Sequence, residues 1–267
     1  MTAKDKKISS LFFPALLHMA CCNPCRAQDG IVKETLNRAG AVLSAPARIN
    51  SGSALWLAGI SAGGLLIYSA DGQIRNAFKK NRSAANDNTS RVLEKFGNGG
   101  YEMGFLGVYG GLGYLFKKPE LSRTAVLAFE SFAAANIAGT LLKCAAGRYR
   151  PYAGRGKGSF RPFKLKTCNT SFPSGHTTSA FSIASVFSAR SESRAVSVAA
   201  YSMAAGTALQ RIYADKHWSS EVFAAAALGT VVGRWIVSKE RGQAKPSALL
   251  LPVYTPGYAG AAAVFNF

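Results

Sequence analysis

Residues 171–189 read SFPSGHTTSAFSIASVFSA, and this stretch decides the fold. Pro173 closes a loop, because proline pushes the residue before it out of the helical region. Ser174 is a favoured helix-capping residue. From Gly175 to Ala189, Ala, Phe, Ile and Val recur among small serines with no proline, which predicts a helix starting at Gly175. The same texture returns in 54–70, 101–116, 124–142, 195–209 and 218–237, with basic loops between. Six such segments predict an all-α, six-helix bundle. Residues 71–100, rich in Asn, Ser, Arg and Gly, read as a loop with at most a helical turn near 90–96. Beyond 248 the texture changes: two strand-like runs flank Thr255-Pro256-Gly257, which predicts a short C-terminal β-hairpin packed on the bundle.

The composition narrows the function. The 267 residues hold 32 Lys+Arg against 13 Asp+Glu, a formal net charge of +19. Charged residues make up only 17%, below the usual quarter or so, so the basicity reflects a shortage of acids. A hydrophobic share of 48% excludes a disordered basic tail. A mean hydropathy of +0.08 argues against a densely membrane-buried transporter. Such a chain should meet anions: nucleic acid, an anionic membrane or a phosphorylated substrate. A membrane span needs about 20 apolar residues. Segments 54–70 and 101–116 fall short, and 124–142 carries Glu130 and Asn136, so a soluble or peripheral bundle is expected over full spanning.

Residues 1–27 look like an address. Lys4, Lys6 and Lys7 precede an apolar run over 8–20, and Cys25-Arg26-Ala27 offers a cleavage site. A secretory signal peptide fits, as does an uncleaved anchor. Either implies the cell envelope, with the protein exported, periplasmic or membrane-associated. Residues 28–53 follow as a linker with one short helix near 31–43, then a domain over 54–240 and the tail over 241–267. Cys144 and Cys168 could pair in an oxidising compartment or stand as separate thiols.

Three blocks carry chemistry: Lys143-CAAGRY-Arg150-Pro151, Pro173-Ser174-Gly175-His176 and Arg211-IYADK-His217-WSS-Glu221. Each alone is weak, since bases at a helix end, a turn before a helix and an i, i+4 His–Glu pair all have ordinary structural roles. Together they make a phosphate site. Backbone N–H groups at the start of a helix bind anions, and Gly175 lets a phosphate approach closely. His176 would stand at the mouth of that site, able to protonate a leaving oxygen. Glu221, four residues after His217, can hold one ring nitrogen and leave the other free to attack. Lys143, Arg150 and Arg211 supply fixed charge for the equatorial oxygens of a pentacoordinate phosphorus.

These blocks resemble those of the type 2 phosphatidic acid phosphatases (PAP2), which share their site with the vanadium haloperoxidases. The pattern is Lys-x6-Arg-Pro, Pro-Ser-Gly-His and Ser-Arg-x5-His-x3-Asp. Nine of its fixed positions stand here in order. The resemblance covers about 54–237 and implies a PAP2-like helical core with the site at one end. It implies a phosphatase acting on phosphomonoesters, with His217 as the nucleophile that forms a phosphohistidine, Glu221 orienting it and His176 as general acid. Lys143, Arg150, Arg211, Ser174 and Gly175 would hold the phosphoryl oxygens. No metal or other cofactor is expected. A vanadate-dependent haloperoxidase and a non-catalytic membrane-associated copy are the alternatives. Two positions depart from the pattern: Gln210 stands for Ser and Glu221 for Asp. The second suggests slower catalysis, and that Glu221→Asp keeps or raises activity.

Between 143 and 166 lie Lys143, Arg148, Arg150, Arg155, Lys157, Arg161, Lys164 and Lys166, with no acid. This reads as a cationic funnel to the site that also touches lipid headgroups. The expected partners are a phosphorylated lipid or small phosphate ester and an anionic membrane surface. Nucleic acid is not expected, because such a patch beside a phosphate site more simply serves that site.

Overall fold

The computed structural model describes residues 51–163 and 166–242, with backbone alone for 51–57, 247–255 and 258–266. The expected signal segment and the helix near 31–43 lie outside the described residues.

Among the described residues the bundle has seven α-helices, not six: α1 Ser51–Lys80, α2 Ala84–Lys95, α3 Gly99–Leu115, α4 Pro119–Ala146, α5 Gly175–Arg190, α6 Arg194–Tyr213 and α7 Ser219–Glu240. Two short 3₁₀ turns, Pro151–Ala153 and Thr167–Asn169, lie in the long connection between α4 and α5. For the tail, two backbone strands, Ser247–Thr255 and Tyr258–Asn266, run antiparallel. The hairpin packed on the bundle stays an expectation.

The corrected count comes from 71–100. The first helix runs on to Lys80, where Lys79 and Lys80 complement the helix dipole. The polar stretch after it forms α2, which buries none of its residues. Its start is set by Ser83, whose hydroxyl accepts from Asn86 N at 3.2 Å. It is held to α6 by polar contacts: Gln210 Nε2 donates to Ser90 Oγ at 3.1 Å and Tyr213 Oη to Asp87 Oδ1 at 2.7 Å. A short helix with so few apolar residues, secured largely by polar contacts, is hard to read from hydrophobic pattern.

Helix α5 is central, packed on α4, α6 and α7. Gly229 and Gly233 let α7 lie directly against it. A Cβ at Gly229 would meet Thr178 O at 2.4 Å, and one at Gly233 would meet Ser182 O at 2.5 Å. Leu127, Ala128, Ala135, Val186, Leu228, Val232, Trp235 and Ile236 close the core. Helix α4 starts at Pro119 in the first turn and stops at Gly147, whose φ of 57° is left-handed. A Cβ there would run into Arg161 O. This stop releases the chain into the loop that carries Arg148 and Arg150.

Helices α4 and α7 are long and apolar enough to cross a membrane. Glu130, which argued against a span, is turned into the core and is 5% exposed. The outer faces are apolar: Phe105, Val108, Leu112, Leu115, Ile137, Leu141, Val198 and Leu209 are all exposed.

Candidate active site

The C-terminal ends of α4 and α6 and the N-terminal ends of α5 and α7 meet at one end of the bundle. All eight residues expected of the site lie there. Lys143, in the last turn of α4, donates from Nζ to the Pro173 carbonyl. Its Nζ is also 3.9 Å from where a Cβ of Gly175 would stand. Burial pulls the Lys143 ammonium down to about 8, with Glu221 opposing and Arg150 assisting.

Ser174 occupies the capping position of α5 but does not cap it. Its buried hydroxyl accepts from Thr177 Oγ1 at 3.0 Å instead. The first turn of α5 therefore keeps its N–H groups uncapped by a side chain, a start suited to phosphate. Arg150 Nε and Arg211 Nε are buried and have no protein partner. Buried donors require acceptors, and phosphoryl oxygens are the acceptors this arrangement suits.

His217 follows α6 in a loop tied back by its own N–H to Arg211 O at 3.2 Å. The ring is 4% exposed, and Nδ1 lies 3.3 Å from Glu221 Oε2. Nε2 is then the ring nitrogen directed away from Glu221. Burial drives the His217 imidazole well below its ordinary value, and Arg150, Lys143 and Arg211 add to this, while the Ser171 backbone opposes it. These surroundings favour the neutral His217 ring. His176, in the first turn of α5, is drawn down to about 4 by burial, then Arg211 and His217, with Glu94 opposing. Arg150 and Arg211 thus act on both histidines, and Lys143 on His217.

Four participating residues were not among those expected from the sequence. Glu94 of α2 pairs with Arg211, Oε1 to Nη2, at 2.9 Å. Ser171 donates its hydroxyl to Glu221 Oε2. Asp71 of α1 and Arg148 form a buried polar cluster behind Glu221. Arg148 corrects the funnel reading directly: it is 1% exposed and points inward. Arg155 and Arg161 do stand exposed, as does Phe163 at 81%. Position 164 is not described. Cys144 and Cys168 are free thiols, both half-buried. No motif marked Asp71, which sits in the stretch read as a loop. Arg148 was counted as a surface base because sequence carries no depth.

Residues 124–243 match the family model of the PAP2 superfamily. The chain is 43% identical over 75 residues to a lipid A 1-phosphatase of Porphyromonas gingivalis, a match covering 26% of this chain and 17% of that relative's length. Among solved structures, a transmembrane PAP2-type phosphatidylglycerolphosphate phosphatase from Bacillus subtilis superposes with a TM-score of 0.55. It is 18% identical, covering 71% of this chain and 98% of that one. Aquifex aeolicus LpxE superposes with a TM-score of 0.50 at 21% identity, covering 62% and 93% respectively. Both likenesses concern the fold.

Proposed function

We propose that the protein is a membrane-associated phosphatase that hydrolyses phosphomonoesters on lipids through a phosphohistidine at His217. The observation that carries this reading is the buried His217 ring, with Nδ1 on Glu221 and three cations facing it.

Nε2 of His217 attacks phosphorus in line with the leaving oxygen. Lys143, Arg150, Arg211 and the first turn of α5 at Ser174 and Gly175 hold the equatorial oxygens as charge spreads over them. His176 protonates the leaving oxygen. An arriving phosphate dianion offsets Arg211 and Arg150, which raises the proton affinity of His176 when an acid is needed. Water then cleaves the P–N bond, with His176 as base.

Lipid as substrate is supported by the exposed apolar residues of α3, α4 and α6 and by exposed Arg155, Arg161 and Phe163 in the loop that also carries Arg150. It is also in keeping with the lipid phosphates named for the relatives.

The test is hydrolysis by the purified protein of phosphatidic acid, phosphatidylglycerophosphate and lipid A 1-phosphate in mixed micelles, with orthovanadate as inhibitor. Acid-labile, base-stable ³²P should be trapped on wild type and absent from His217→Ala, with turnover lost in that variant. Full turnover by His217→Ala overturns the nucleophile.

A further inference from the structure

Behind the histidine nucleophile lies a second buried charge cluster that the three motif blocks do not contain. Arg148 is 1% exposed and its side chain is enclosed by Tyr68, Phe160 and Trp218, each ring centroid within 5.0–5.6 Å of the guanidinium carbon. Each of its three nitrogens donates a hydrogen bond. Nε reaches Lys157 O at 3.1 Å, Nη2 reaches Asp71 Oδ2 at 2.8 Å, and Nη1 reaches Ser220 Oγ at 2.9 Å. Nη1 also lies 3.3 Å from Glu221 Oε1. Asp71, 1% exposed, accepts from Ser219 Oγ at 2.6 Å and Ser220 N at 2.8 Å. It thereby ties α1 to the start of α7.

Glu221 has no exposure and is divided between two tasks. Oε2 takes His217 Nδ1, the Ser171 hydroxyl and Trp218 N. Oε1 has no hydrogen bond, and Arg148 is the cation beside it. A carboxylate this deeply buried takes up a proton unless a cation compensates. A protonated Glu221 is a weaker acceptor for the His217 N–H and no longer fixes the ring.

Building on the phosphohistidine reading above, we propose that Arg148, anchored by Asp71, is the positioning residue for the nucleophile: it keeps Glu221 anionic and thereby holds His217 with Nε2 toward phosphorus. The cluster has two carboxylates against one guanidinium. Its net single negative charge suits the positive charge that grows on the His217 ring as the P–N bond forms, so the stabilisation is larger in the transition state than before it. The groups facing Glu221 are Arg148 from the α4–α5 loop, Asp71 from α1, Lys143 from α4 and His217 beside α7. Burial, then Arg148 opposing it, sets the carboxyl near 7, with Asp71 pushing it up.

The two members of the pair therefore act in opposite directions, which a purely structural role does not produce. The experiment is the pH profile of kcat for p-nitrophenyl phosphate with wild type, Arg148→Gln, Arg148→Lys, Asp71→Asn and His217→Ala, each shown to be folded by circular dichroism. Arg148→Gln should move the acid limb upward by roughly one unit or more and lower kcat at least about tenfold, with KM changed less than about threefold. Arg148→Lys should return the limb toward wild type. Asp71→Asn should move it downward. Should Arg148→Gln fail to fold, Arg148→Lys and Asp71→Asn decide. Limbs that overlay wild type, with rates merely scaled, overturn the Arg148 assignment and leave the phosphohistidine reading standing. Turnover by His217→Ala overturns both.

Discussion

Arg211 Nη2 and Glu94 Oε1 stand 2.9 Å apart, so one of the site's three cations is tied to α2, a helix with no buried residue. Glu94 is about half exposed, whereas Arg211 is buried. Its carboxylate competes with a phosphoryl oxygen for the same guanidinium. Glu94→Gln should lower the inhibition constant for inorganic phosphate and the KM for phosphoesters. The gain should be at most about fivefold, since half-exposed pairs contribute on the order of 1 kcal/mol or less. Product inhibition by phosphate measures it. Weaker phosphate binding in the variant would show that Glu94 orients Arg211 and does not compete.

The Glu221 carboxylate reaches His217, Ser171, Trp218 N and Arg148 at once. Removing a methylene makes it give up at least one of them. Glu221→Asp should therefore lower kcat by roughly tenfold, contrary to the sequence-based expectation that aspartate keeps or raises activity. Steady-state kinetics at the wild-type optimum decide between the two.

His176→Gln removes the proposed general acid. The loss in kcat should be roughly 10²–10⁴-fold for an alkyl phosphate. It should be much smaller for p-nitrophenyl phosphate, whose leaving group needs no proton. Equal losses on both substrates would assign His176 to phosphate binding.

Glu102 of α3 is buried, and only the Ser179 hydroxyl favours its charged form. Burial pushes its carboxyl up to about 8. The folded state therefore holds a proton that the unfolded chain releases near 4.3. Stability from this group is complete below about pH 4 and is lost as pH rises toward 8. Glu102→Gln should raise stability at pH 8–9 by on the order of a few kcal/mol, seen as a higher Tm, and leave Tm nearly unchanged at pH 4. Thermal unfolding in detergent across that range tests the sign.

The helices with apolar texture were legible because burying a face demands a periodic pattern. Thus α5 starts at Gly175 as read, and α7 runs from Ser219 against a predicted 218. Helix α2 was not legible, because its stability comes from Ser90, Glu94 and Asp87 meeting partners on α6, more than a hundred residues away. The same distance hid Asp71, whose partners Arg148 and Ser220 are 77 and 149 residues on.

Sequence alone determined the helical class and picked out the residues that converge at one end of the bundle, since the phosphoryl site proposed for them requires particular side chains at particular spacings. Tertiary structure decided depth and pairing. Arg148 and Arg155 are alike in sequence, yet one is 1% exposed between two carboxylates and the other lies on the surface. A guanidinium's effect depends on the dielectric around it and on the charges within a few ångströms, and only the packing of α1 and α7 around the loop sets those.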